Sequence, residues 1–136
     1  MIVSAGVIPV RRTPDGWRFL VLRVYRNWDF PKGLVEPGEE PLATARREAA
    51  EEACLTDLAF HWGEESWATA PYSRGKKIAR YYLAETSIEA IVLPVNPELG
   101  HPEHHEGRWV DADTAAGLLP ERLQDVFDLA RGVLGV

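Results

Sequence analysis

The chain has 136 residues, enough for one domain with a proper core and no more. Its hydrophobic and charged fractions are those of an ordinary soluble globular protein. A net charge of −6 argues against a dedicated nucleic-acid binder, but a nucleotide substrate stays open because a bound metal inverts the local field.

The N-terminus, MIVSAGVIPVRR, has no basic residue before its apolar run, and the run is too short for a signal or a membrane span. It reads as a strand, Ile2 to Arg11. Thr13-Pro14-Asp15-Gly16 is a turn signal, and Trp17 to Val24 follows as a second strand of a hairpin. Trp28 and Phe30, flanking Asp29, are expected to pack the next turn against the sheet. A glycine-rich turn from Lys32-Gly33 to Pro37-Gly38-Glu39 runs into a helix from Pro41 to Ala53. Pro41 suits the first helical position, and the alanines that follow are strong helix formers. Leu58 to Glu65 and Ile78 to Glu85 read as strands, with a polar loop between them and a further short strand over Ile88 to Val95. Arg108 to Val110 is a short strand. Asp111 is the expected N-cap of a helix from Ala112 to Leu119, and Glu121 to Leu134 is the last helix. The order of elements predicts an α/β fold, a mixed sheet between helices. The single cysteine, Cys54, allows no intrachain disulfide and fits a cytoplasmic protein.

On the first helix, Glu48, Glu51 and Glu52 are spaced i, i+3, i+4, so their carboxylates share one side. Arg47 can pair with Glu51 one turn on, but Glu48 and Glu52 still face each other. A hard divalent cation is the natural counter-charge, and magnesium commonly joins carboxylates to a substrate's phosphates. The plain alternative is a solvated acidic face. That alternative leaves the preceding turn unexplained.

Gly33, five residues, Glu39, seven residues, Arg47-Glu48, then Glu51-Glu52 and Leu55 resembles the Nudix box. One position departs: the glycine expected after the Glu pair is Cys54. If that position has positive φ, a cysteine there costs on the order of 1 kcal/mol. The resemblance implies an α/β/α sandwich and a hydrolase acting on a nucleoside diphosphate linked to another group. It implies that Glu48, Glu51 and Glu52 hold magnesium, or manganese in its place, with a backbone carbonyl at Lys32 or Gly33. Glu48 stands where some relatives have their general base; others place it outside the box. Glu39 is expected to order the loop, and Arg47 to orient Glu51. Lys32 reads equally as a surface lysine or as a phosphate contact.

Outside the box, Gly75 to Glu85 and Pro102 to Trp109 resemble segments of asymmetric diadenosine tetraphosphate hydrolases. That likeness implies a further metal carboxylate at Glu103, with Glu106 as the second candidate. It implies polyphosphate contacts at Lys76 and Lys77, with Arg74 beside them, and a base-stacking role for Tyr81. A core or surface role explains each tyrosine of the Tyr81-Tyr82 pair as well. Leu34 departs from the histidine frequent in those enzymes. His101, His104 and His105 raise a zinc reading, but no cysteine lies near them and the oxygen donors of the box suit magnesium.

The expected function is magnesium-dependent hydrolysis of a dinucleoside polyphosphate such as diadenosine tetraphosphate to ATP and AMP, without a membrane or nucleic-acid partner. The rivals are a Nudix pyrophosphatase for nucleoside triphosphates, nucleotide sugars or RNA 5′ ends, and an inactive nucleotide-binding regulatory domain.

Overall fold

The computed structural model describes all 136 residues. Its axis is β1 (Ile2–Thr13), buried without interruption from Ser4 to Val10. A strand so buried must be covered on both faces. β6 (Lys77–Glu85) runs parallel to it, from Ile2 opposite Lys77 to Val10 opposite Glu85. The second half of β1 pairs with β2 (Gly16–Val24) through a hairpin turn closed at Gly16, which has φ +112°. The first half pairs with β4 (Lys32–Leu34). β3 (Asn27–Asp29) and β9 (Glu106–Val110) pair with β2, and the edge strand β5 (Trp67–Ala68) pairs with β6. β7 (Val95–Asn96) and β8 (His101–Pro102) form a separate small ribbon.

Alternation along the strands sorts the apolar side chains into two cores. Ile8, Val10, Phe19, Val21 and Tyr81 face α2 (Ala112–Leu118) and α3 (Glu121–Leu134). Ala5, Val7, Leu20, Leu22 and Tyr82 face α1 (Pro41–Ala53). This is the three-layer α/β/α sandwich expected. Leu123, Val126 and Phe127 anchor α3, each contributing about 1.5–3 kcal/mol by burial. α1 meets the sheet through Ala45, Ala49 and Ala53, so its backbone lies close and its carboxylates sit near β4. Trp28 and Phe30 pack into the α3-side core. Asp111 caps α2, its carboxylate accepting from the Thr114 N–H at 2.8 Å. No helix is long and apolar enough to cross a membrane.

Two expected strands are corrected. Leu58 to Glu65 is a loop with one bridge, Ala59 to Glu85. A turn ends it, with Gly63 at φ +109° and its N–H donating to the Phe60 carbonyl. Ile88 to Pro94 is also loop, and only Val95 is strand, as the first residue of β7. The loop's Ile88 and Leu93 cover the α1-side core, and the Glu89 carbonyl accepts from the Trp109 indole instead of a neighbouring strand. The Tyr81-Tyr82 pair also differs from expectation. With helices on both faces of the sheet, both rings are buried, one in each core.

Cys54 takes the left-handed conformation, φ 56° and ψ 29°, just past the end of α1. Its N–H donates to the Ala50 carbonyl, and the Leu55 N–H to that of Ala49. Cys54→Gly is expected to raise stability by up to about 1 kcal/mol, because glycine enters this region without steric cost. Thermal and urea unfolding check this; a clear loss of stability would mean that the thiol's packing outweighs the backbone strain.

Candidate active site

The helical period sets Glu48, Glu51 and Glu52 on one side of α1, and the turn before the helix brings Glu39 back beside them. Arg47 gathers the group. Its Nε and Nη2 donate to the two carboxylate oxygens of Glu39 at 2.9 and 3.0 Å. Its Nη1 donates to Glu48 at 2.8 Å and to Glu51 at 3.2 Å. Glu39 also accepts from the Thr44 hydroxyl at 2.6 Å and the Glu36 N–H at 3.2 Å, tying the loop to the helix. The Arg47 guanidinium holds the Glu39 carboxyl down to about 2. Arg47 therefore grips Glu39 first, and Glu51 is the most distant of its three carboxylate partners.

β4 forms the floor. A Cβ at Gly33 would stand 2.1 Å from the Glu48 carboxyl, so the carboxylate lies directly against the strand backbone. Gly6 does the same for the approach to β4, since a Cβ there would stand 2.2 Å from the Pro31 carbonyl. Gly33→Ala is expected to push the Glu48 carboxylate aside and lower kcat/KM about a hundredfold, the scale of an ångström-sized misplacement. The displaced group is the end of a flexible side chain, so the melting temperature should hardly move. Unchanged kcat/KM in a folded variant would show that the Glu48 position does not matter.

Glu52 is the innermost carboxylate, with a side chain 3% exposed. Burial, with Glu48 and Glu103 nearby, pushes its carboxyl up to about 11. Its Oε2 is buried without a hydrogen-bond partner, and so is Nδ1 of His104. Glu103 is exposed at the mouth, and partial desolvation and Glu48 raise its carboxyl also. Ligand atoms of Glu52, Glu103 and His104 lie within 4.8 Å of one another. A buried carboxylate without a counter-charge is costly. A divalent cation among these groups would satisfy the orphaned oxygen and offset the repulsion, so the residues present fit one.

Lys32 and Gly33 lie on β4 beside Glu48, as expected for the start of the box. The Lys32 ammonium lies 3.6 Å from Asp29, which also accepts from the Tyr81 hydroxyl, the Phe30 N–H and Arg122. The cleft over the Glu cluster has a volume of about 800 Å³. One wall is α1; the other is the Pro94 to Glu98 segment with Glu103.

Outside the box, the base-stacking role expected of Tyr81 is not met. Tyr81 is fully buried, with its hydroxyl on Asp29 at 2.8 Å, so its ring has no free face for a base. Glu106 is held by Arg23 and Arg108 on β9 and is not part of the cluster, which leaves Glu103 as the loop carboxylate. Lys76, on the turn before β6, and Lys77, the first residue of that strand, are exposed and do not line the cleft. The three histidines also separate. His101 bonds the Pro102 carbonyl, His105 accepts from the Tyr25 N–H, and only His104 turns into the site. Sequence reasoning weighs His104 only together with His101 and His105, as a zinc set, and does not reach the Asp29–Arg122 pair; the signal that singles out His104 is its neighbour Glu103.

The NUDIX domain model matches residues 2–129. A bis(5′-nucleosyl)-tetraphosphatase (asymmetrical) from Caenorhabditis elegans is 31% identical over 120 residues, 85% of this chain and 83% of that one. An RNA pyrophosphohydrolase from Bartonella henselae is 26% identical over 110 residues, 71% of this chain and 64% of that one. A crystal structure of a C. elegans Ap4A hydrolase binary complex covers 100% of both chains with a TM-score of 0.82 at 24% identity, a likeness of fold. With the box filled, the acidic site built upon it and the family model spanning nearly the whole chain, the protein belongs to the Nudix hydrolases.

Proposed function

We propose that the protein hydrolyses a dinucleoside polyphosphate, with diadenosine tetraphosphate cleaved to ATP and AMP, using magnesium or manganese. The observation that carries this reading is the 31% identity, over most of both chains, to an asymmetrical bis(5′-nucleosyl)-tetraphosphatase. The reaction needs a positioned water, screened phosphate oxygens and a proton acceptor. Glu48, Glu51, Glu52 and Glu103 would hold the cation, with the backbone at Lys32 or Gly33 close by. The cation would supply charge neutralisation along the polyphosphate. Glu48 is fixed between Arg47 and Gly33, which suits a carboxylate that takes the proton of the attacking water. Glu39 and Arg47 keep that carboxylate in place. The Lys32 ammonium, leaning on Asp29, can meet a phosphate at the same rim. Lys76 and Lys77 form no ion pair and are free to reach the far end of a long anion. A chain with one thiol suits a cytoplasmic setting.

The likeness to an RNA pyrophosphohydrolase supports a second reading, cleavage at an RNA 5′ end. A panel of diadenosine tetraphosphate, nucleoside triphosphates, nucleotide sugars and 5′-triphosphorylated RNA, with magnesium and with manganese, separates the readings. The expected result is the highest kcat/KM for diadenosine tetraphosphate, with ATP and AMP released in equal amounts. Preference for RNA would move the assignment to the second reading. Absence of metal-dependent turnover on every substrate would leave a binding domain.

A further inference from the structure

Glu52 and His104 come from opposite ends of the site, one from the last turn of α1 and one from the loop before β9. Both side chains are at least nine-tenths buried, 3% and 9% exposed. The Glu52 Oε1 and the His104 Nδ1 stand 3.4 Å apart. That is outside the usual 2.7–3.2 Å range for an N–H···O hydrogen bond, and Nδ1 has no other partner. The separation is the spacing of two ligands on one ion. Atoms each about 2.1 Å from a cation are roughly 3.0 Å apart at a right angle and roughly 3.4 Å apart at the tetrahedral angle. The Glu103 carboxylate completes a triangle whose corners all lie within 4.8 Å of one another. The nearby Lys32 is drawn to Asp29 and does not fill the gap.

We propose that His104 Nδ1, with carboxylate oxygens of Glu52 and Glu103, forms a mixed nitrogen–oxygen site that selects a divalent transition-metal cation such as manganese over magnesium. This rests on the reading of the Glu cluster as a cation site and replaces the all-oxygen donor set expected from the sequence. Imidazole favours transition metals, whereas magnesium holds to carboxylate, carbonyl and water oxygens. Without a cation, His104 Nδ1 and Glu52 Oε2 are both buried with no hydrogen-bond partner. With one, both groups become ligands without moving their backbones.

The test uses the full chain, stripped with chelator and free of nucleotide. Manganese and magnesium are titrated into it by calorimetry, and the manganese-loaded protein is examined by electron spin-echo spectroscopy for coupling to a ring nitrogen. The wild type should bind manganese at least about tenfold more tightly than magnesium and should show the nitrogen signal. His104→Gln should lose about tenfold or more for manganese, less than about twofold for magnesium, and the nitrogen signal altogether. Equal losses for both metals would make His104 a positioning residue and overturn the proposal. Binding of manganese to the wild type without a nitrogen signal would overturn it too, whether or not the variant folds. Failure of both metals to bind would overturn it together with the cation reading beneath it.

Discussion

Glu52→Gln is expected to lower kcat by roughly a thousandfold or more and to leave the fold intact. The substitution keeps the shape and removes the charge. Glu52 is the most enclosed carboxylate of the site, and its Oε2 has no partner among the protein's own groups. A side chain kept there for structure alone would cost stability, because a buried and unpaired carboxylate is desolvated for no return. The metal-free variant should therefore melt no lower than the metal-free wild type. The pH dependence gives an independent readout. Burial raises the Glu52 carboxyl from 4.5 to about 11, so the folded protein favours the protonated form. For a raised group, the stabilising contribution is complete below the unfolded value and is lost as pH rises toward the folded one. In chelator, the wild type should thus lose stability progressively above pH 4.5, and Glu52→Gln should flatten that decline. Added manganese should reverse the wild-type loss and leave the variant nearly unchanged. Near-normal turnover in a folded variant, or an unchanged response to manganese, would remove Glu52 from the cation site.

What the sequence made legible is local. The start of α1 at Pro41 and the shared side of Glu48, Glu51 and Glu52 follow from helix geometry alone, and the left-handed Cys54 from the likeness to the Nudix box, whose glycine it replaces. The partner of Arg47 was harder. Glu51 lies one turn away on the same helix, but Glu39 reaches Arg47 through a turn at Gly38, φ +79°, whose path is a property of the folded loop. His104 was harder still. Three histidines stand in one short segment, and which of them meets Glu52 depends on the loop's anchor, where the His105 N–H donates to the Arg23 carbonyl at 2.7 Å. Composition carried no trace of that bond. The false strand over Leu58 to Glu65 has the same origin. Its apolar residues are real packing groups, but Phe60 and Leu58 cover the α1-side core from a loop.

Tyr81→Ala is expected to destabilise the fold by about 3–5 kcal/mol, the usual cost of emptying a buried aromatic site. Period-2 alternation places Tyr81 and Tyr82 on opposite faces of β6, and on a sheet with one open face one ring would be free to stack a base. Here helices cover both faces, and Tyr81 is 0% exposed. Its ring meets Phe30 edge to face with centroids 5.8 Å apart. Its hydroxyl donates to Asp29, the carboxylate that also takes Arg122 and Lys32. Removing the ring empties the α3-side core and loosens the group that steadies Lys32 at the rim of the site. Against a total stability of about 5–15 kcal/mol, the variant should melt more than about 10 °C lower. Whatever activity survives should fall alike for diadenosine tetraphosphate and for a nucleoside triphosphate, since no contact specific to the longer substrate is lost. Tyr81→Phe separates packing from polarity. It keeps the ring, loses one hydrogen bond to a charged acceptor and should cost about 1.5–3 kcal/mol. Thermal melts with kcat/KM on both substrates decide the matter. A Tyr81→Ala protein that melts like the wild type and loses only the dinucleoside substrate would overturn the core assignment and return Tyr81 to the binding surface.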